Sequence, residues 1–389
     1  MYKLCVKLPP FSPDYSGVCS ALFALGGLIV IHDAAGCTGN YTGYDEPRWY
    51  GSDSMVYCSS LRELAAVLGD EGGTIEKIAA AAHDRSPKFI AVLGSPVPMV
   101  IGTDLQGIAK ELENRTGIPS FGFPTTGLGY YDKGAGEAFV CLARRFARQP
   151  EEKLPKAINL LGATPLDFGV NGDIEHCRNF FQNAGFSVLS DYAMLSSLED
   201  IQQSGRASAN VVLSSSGLPV AKHFYRELGT PYVCGVPIGA KASGALLARL
   251  EQAMQTGTPH AAQPEPNLTE APAEKDVLVV HDQIVANSLR LALQHGFGRK
   301  NVHIATPFGF DAELAAAGDA QAKSELELTR LFNSGYNTII ADPLFAQILA
   351  PDNEAVFVPL PQVAVSSKLY WHNTPNLVGN AVDSLLQRM

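Results

Sequence analysis

The chain has no apolar run long enough to span a bilayer. The longest, Cys19 to Ile31, falls short of the ~20 residues required and is broken by Gly26 and Gly27, so no membrane segment is expected. Charge is sparse, at 17% of residues, and the balance is acidic at −10, with Lys and Arg scattered rather than gathered into a stripe, which argues against a nucleic-acid partner. There is no disulfide framework either: the seven cysteines are odd in number, irregularly spaced and contain no CxxC pair, so a reducing compartment is expected. Residues 1–10 lack the apolar core and cleavage site of a secretory signal, and with the reduced cysteines this points to the cytoplasm. No G-x-x-x-x-G-K-[ST] segment occurs, so any ATP hydrolysis belongs to a partner.

What is present is 389 residues, 46% of them hydrophobic, arranged as repeated βαβ units. Lys88 to Leu93 reads as a buried strand, Gly94 to Pro98 as its loop and Gly102 to Arg115 as the following helix. The pattern returns at Ala157 to Leu161, at Asn210 to Leu213 before the helix Val220 to Leu228, and at Asp276 to Val280 before the helix Ile284 to His295. Parallel strands with helical crossovers place ligand loops at the strand C-termini. Residues 255–275, rich in Pro, Ala, Thr and Glu without an apolar period, read as a linker. The expected fold is α/β, with domains at 1–152, 153–254 and 276–389.

The most unusual local setting is His32-Asp33-Ala34-Ala35-Gly36-Cys37, which follows the strand Leu28 to Ile31. Gly36 and Cys37 fall on a strand-to-helix turn, where a thiolate can reach an iron–sulfur cluster and backbone amides can approach it. Taken alone the signal is weak, because a Gly-Cys pair is more often simply a packed turn and a Cys a small buried hydrophobe. His32 could orient the loop through a hydrogen bond or be an ordinary satisfied turn histidine. The loop Ser214 to Gly217 opens a helix, so its amides could hold an anion, and a plain helix cap explains it equally well. His281 and Asp282, on the first loop of the third unit, are substrate-site candidates.

Three segments together resemble the nitrogenase component 1 family, in that family's order. They are the helix Ser20 to Gly26 leading through a strand to His-x-x-x-Gly-Cys at 32–37; Ser52-Asp53-Ser54-Met55 followed by Leu68-Gly69-Asp70-Glu71-Gly72-Gly73; and Val100-Ile101-Gly102-Thr103-Asp104-Leu105. The similarity runs more weakly through Gly235 to Gly239 and Leu369-Tyr370-Trp371, and the pattern is closer to the family's β-type subunits. It implies three Rossmann-like, doubly wound domains with mainly parallel sheets around a central cleft. It carries Cys37 over directly as a metal ligand. Tyr15 stands at the position of an early family Cys, with Cys19 one turn later, and Ser95 stands in the loop that holds a third. Cys58 is an additional thiolate candidate, and Thr125 lies where some relatives place a hydroxyl near the cluster.

The resemblance therefore implies an oxidoreductase subunit with metal ligands among Cys37, Cys19 and Cys58, and with Gly36, His32, Thr125 and Ser95 around the cofactor. The cofactor would be a four-iron (4Fe–4S) cluster shared across a homodimer, or with a second component-1-like subunit. Electrons would come from an ATP-dependent iron-protein reductase and pass to a small-molecule or tetrapyrrole-like substrate in the interdomain cleft. The contrasting reading is a non-catalytic scaffold for metal-cofactor assembly, or a cleft-binding module without a cluster.

Overall fold

The computed structural model describes residues 5–260 and 275–386. It contains three separate sheets, and every strand pairing within them is parallel. The first is built from β1 (Leu28–Ile31), β2 (Met55–Cys58), β3 (Ile90–Leu93) and β4 (Ser120–Phe123), in the order β2-β1-β3-β4. The second takes β5 (Leu154–Leu161), β6 (Ser187–Ser190), β7 (Ala207–Val212) and β8 (Tyr232–Cys234), in the order β6-β5-β7-β8. The third takes β9 (Val277–Val280), β10 (Val302–Thr306), β11 (Ala320–Gln321), β12 (Thr338–Ala341) and β13 (Val356–Pro359), in the order β11-β10-β9-β12-β13. In the first and third sheets a central strand is buried at every residue, β1 as LIVI and β9 as VLVV, because helices cover both faces and β-branched side chains fill them. This is the three-sheet, Rossmann-like α/β fold that the sequence leads one to expect.

Seven helices frame the first sheet: α1 (Asp14–Leu22), α2 (Gly36–Asn40), α3 (Glu63–Leu68), α4 (Glu71–Arg85), α5 (Pro96–Ile101), α6 (Leu105–Thr116) and α7 (Tyr131–Phe146). The helix expected over 102–115 is α6, beginning at Leu105, and a separate short helix, α5, stands where the loop 94–98 was expected. Pro96 starts α5, Gly102 ends it in the left-handed conformation at φ +73°, and the Asp104 carboxylate caps α6 by accepting from Gly107 N. α1 and α7 cross with their backbones in contact. A Cβ at Gly17 would lie 1.9 Å from the Tyr131 carbonyl oxygen, and one at Gly134 would lie 1.9 Å from that of Asp14. This crossing fixes the start of α1, and with it Tyr15, against the rest of the first unit.

The expected linker lies mostly outside the described residues. Its first two residues close the helix Ala240–Thr256, and His260 N donates to Tyr232 O beside β8. Among the described residues no helix is long and apolar enough to cross a membrane.

Candidate functional site

In an open parallel sheet, ligands gather where neighbouring strands send their connections to opposite sides. In the order β2-β1-β3-β4 that point lies between β1 and β3. The loop after β1 carries Cys37 and the loop after β3 carries Ser95, so the topology places both at one crevice.

Asp33 organises the first loop. Its Oδ2 accepts from Ala35 N at 2.9 Å and Cys37 N at 2.8 Å, and its carbonyl accepts from the Cys58 thiol at 3.2 Å. Ala35 is held at φ 149°, a conformation costly for any residue but glycine, which sets the turn into α2. Ser95 is fully buried and donates to His32 O at 3.0 Å and to Asp33 Oδ1 at 3.3 Å. Thr125 donates to Gly94 O at 2.8 Å, bracing the β3 loop from behind. His32 is buried with Nδ1 2.8 Å from Ser59 Oγ, and burial pushes its pKa down, so it serves the loop as a neutral ring.

The Cys37 thiol is half-buried and faces Tyr15, Asp33 and Ser95. Burial raises its pKa and the nearby Asp33 carboxylate adds to the rise, against the Tyr15 hydroxyl, which favours the thiolate. Positions 15, 37 and 95, which the sequence brings together only by resemblance, thus converge in space. Cys58 joins through the Asp33 carbonyl. Cys19 does not join: it is fully buried in the first core, where burial and the nearby Glu46 and Asp45 push its thiol well up. Gly36 is exposed, and with Gly39 and Gly43 it leaves open space where a Cβ would stand. Beside the crevice, α3 and α5 expose a run of large apolar side chains, among them Leu64, Val67, Leu68 and Val100, each at least 70% exposed.

Asp45 and Glu46, which sequence reasoning passed over, form a buried polar layer under this loop. Asp45 accepts from Ser12, Ser16 and Asn40, and burial pushes its carboxyl up to about 6. Glu46 pairs with Arg48 at 2.7 Å and accepts from Tyr41 and Ser20. Asp45 is the last residue of a five-residue π-helical turn, Tyr41–Asp45, that follows α2 directly, and no sequence signal marks it.

The other candidates lie elsewhere. Asp282 caps the helix Gln283–Phe297 and accepts from Ser215 N at 2.9 Å. Of the two readings of the Ser214 to Gly217 loop, an anion site or a plain helix cap, the structure shows Ser215 N already taken by the protein's own Asp282. His281 is fully buried, and burial depresses its pKa to about 3.

One thiol with oxygen donors from Tyr15, Ser95 and Asp33 fits one corner of an iron–sulfur cluster. Among the described residues no group of three or more His, Cys, Asp or Glu is placed to hold a metal ion.

Three parallel sheets, with a cysteine at the switch point of the first, define a Rossmann-like α/β protein of several units. The family model "Nitrogenase component 1 type Oxidoreductase" matches residues 15–272, and the chain belongs to that family. It is 27% identical over 213 residues to the nitrogenase iron-molybdenum cofactor biosynthesis protein NifE of Clostridium pasteurianum, covering 52% of this chain and 45% of that protein. To one of the subunits of light-independent protochlorophyllide reductase from Jannaschia sp. (strain CCS1) it is 29% identical over 192 residues, covering 48% and 36%. The matched stretch thus spans less than half the length of these curated relatives. A solved structure of nitrogenase Cp1 at pH 6.5 superposes with a TM-score of 0.73 at 15% identity, covering 100% of this chain and 93% of that one, a likeness of fold.

Proposed function

We propose that the chain is the Cys37-bearing subunit of a nitrogenase-like reductase, acting in the cytoplasm with a second component-1-like subunit or a second copy of itself. The convergence of Tyr15, Cys37 and Ser95 at the first sheet's switch point carries this reading. The exposed apolar face of α3 and α5 beside the open glycines of α2 supports a subunit contact there.

In this reading Cys37 supplies the thiolate, while Tyr15 and Ser95 stand where further ligands or hydrogen-bond donors are needed. When bound, an iron–sulfur cluster accepts and releases single electrons between an ATP-dependent iron-protein reductase and the substrate. The chain's own groups set the conditions. The Asp33 carboxylate fixes the Cys37 amide, the Tyr15 phenol donates to the thiolate, and Thr125 holds the β3 loop in register. The apolar face excludes water once a partner covers it. The three-domain division at 1–152, 153–254 and 276–389 belongs to this reading, with one sheet in each.

Anaerobic purification with iron and sulfide quantitation and EPR tests it. Wild type, with its partner, should carry a four-iron signal that Cys37→Ala abolishes. Cys58→Ala should change the signal only if that thiol also ligates. A chain with no iron, alone and with its partner, sinks the reading. The oxygen donors at 15 and 95 and the likeness to NifE favour a second reading, an assembly scaffold that releases a metal cofactor to an acceptor protein. Transfer of bound metal to an acceptor, without turnover of a small molecule, would distinguish it.

A further inference from the structure

A cavity of about 440 Å³ opens beside the Cys37 loop, within the size range of small-molecule sites. Its floor is polar: Ser12, Tyr15, Asn40 and Asp45. Its walls are proline and aromatic surface, from Pro9 to Pro13, Pro96 and Tyr44, closed by Ala364, Val365 and Ser367 of the third unit. The first and third units thus build it jointly, and Ser12 N donates to Ala364 O at 2.9 Å across the seam.

A donor and acceptor census of the floor decides what it can take. Ser12 spends its hydroxyl proton on Asp45 at 3.1 Å. Asn40 donates to Asp45 at 3.1 Å, and the Tyr15 hydroxyl stands close to Asn40 and Cys37. At the rim, Ser367 donates to the Tyr44 carbonyl. The prolines have no N–H to offer. Ser12 and Asn40 thus both direct a hydrogen to Asp45, where acceptor capacity remains. A carboxylate presents about four lone-pair sites, and Asp45 receives three bonds, from Ser12, Ser16 and Asn40. All three partners are neutral, whereas neighbouring Glu46 has Arg48, and the cation at the rim, Lys368, stands over the Tyr44 ring at 5.5 Å from its centre. A wall of ring faces with a buried acceptor at its end favours a cationic N–H donor on an apolar body.

We propose that this cavity binds a small primary ammonium compound, its N–H on Asp45 and its apolar body between the prolines and the Tyr44 ring. The ligand would sit on Asp45, with Asn40 and Tyr15 between it and Cys37. That amines are the substrate class of the Cys37 site rests on the reductase reading. The binding itself does not.

Isothermal titration calorimetry of the purified full chain with benzylammonium, benzyl alcohol and benzoate tests the charge requirement without any substitution. Benzylammonium should bind at least about tenfold more tightly than benzyl alcohol, the difference a charge-assisted bond supplies, and benzoate should not bind. Asp45→Asn, checked for folding by circular dichroism, should lose about tenfold in benzylammonium affinity while binding benzyl alcohol as wild type does. Tyr44→Ala, on the exposed rim, should weaken all ring probes alike. Equal binding of benzylammonium and benzyl alcohol, or unchanged affinity in Asp45→Asn, overturns the proposal. Benzylammonium binding to a chain that carries no iron would uphold the cavity and remove the reductase reading.

Discussion

At the residue scale, position decides what each cysteine can do more than the presence of a thiol does. Cys19 and Cys37 lie within one unit, yet the first is enclosed in the core with Tyr41 while the second faces a crevice. For Cys19 to ligate iron, α1 would have to part from the core. Cys19→Ala should therefore cost about 1–2 kcal/mol, the loss of a small buried group, and leave iron binding untouched. Denaturant titration and iron quantitation check the two halves separately, and loss of iron from a folded Cys19→Ala would place that thiol among the ligands after all. The sequence showed Cys37 because a strand, a glycine and a cysteine are contiguous. It showed Tyr15 and Ser95 only by alignment to a family pattern, since about 80 positions separate them and no local rule brings them together. Asp45 stayed hidden because its importance lies in burial, which a carboxylate's neighbours in sequence do not reveal.

At the scale of elements, the crossing of α1 and α7 holds the Tyr15 side of the site in place. Neither Gly17 nor Gly134 needs an unusual backbone angle; each is there because a backbone carbonyl of the other helix occupies the space of a Cβ. Gly134→Ala should destabilise by about 1–3 kcal/mol as the helices are forced apart, and should also disturb the Tyr15–Cys37 contact. A lower urea midpoint measures the first effect. An alanine variant as stable as wild type would mean that the helices can slide without cost. Val100, on the exposed face of α5, makes the opposite case. Val100→Asp should change the stability of the isolated chain by no more than about 0.5 kcal/mol and still weaken subunit association in sedimentation velocity. The strands read at 28–31, 88–93, 157–161, 210–213 and 276–280 lie within three residues of the observed ones, because buried β-branched runs announce themselves, whereas less buried strands such as β2, β6 and β11 do not. The break at Gly102 was less legible, because a glycine after an apolar run reads equally well as the start of a helix or its end.

At the scale of the molecule, the three units meet through buried polar groups. Tyr131 at the start of α7 donates to Asp167 of the second unit, and Gln362 of the third donates to both, at 3.2 and 3.0 Å. Asp132 accepts from Gly309 N at 2.9 Å, tying the first unit to the third. None of this was legible in the sequence, since each bond joins residues from different units and no periodicity links them. Its cost appears in the carboxyls. Burial raises Asp167 and Asp282, close enough to oppose each other's ionisation, and lifts Asp132 from its ordinary 3.8 to about 6. For Asp132 the folded state therefore keeps a proton between about pH 4 and 6 that the unfolded chain has released. Its stabilising contribution is full below about 4 and is lost as pH rises through 6. Asp132→Asn removes this dependence while its amide oxygen can still accept from Gly309. The stability of wild type relative to Asp132→Asn should fall by up to about 3 kcal/mol between pH 4 and 7, a little over two pKa units at 1.36 kcal/mol each. Urea midpoints of both proteins across that range measure it. Two parallel curves, offset but never converging, would show that Asp132 is ionised throughout and that the junction of the three units holds a charge there rather than a proton.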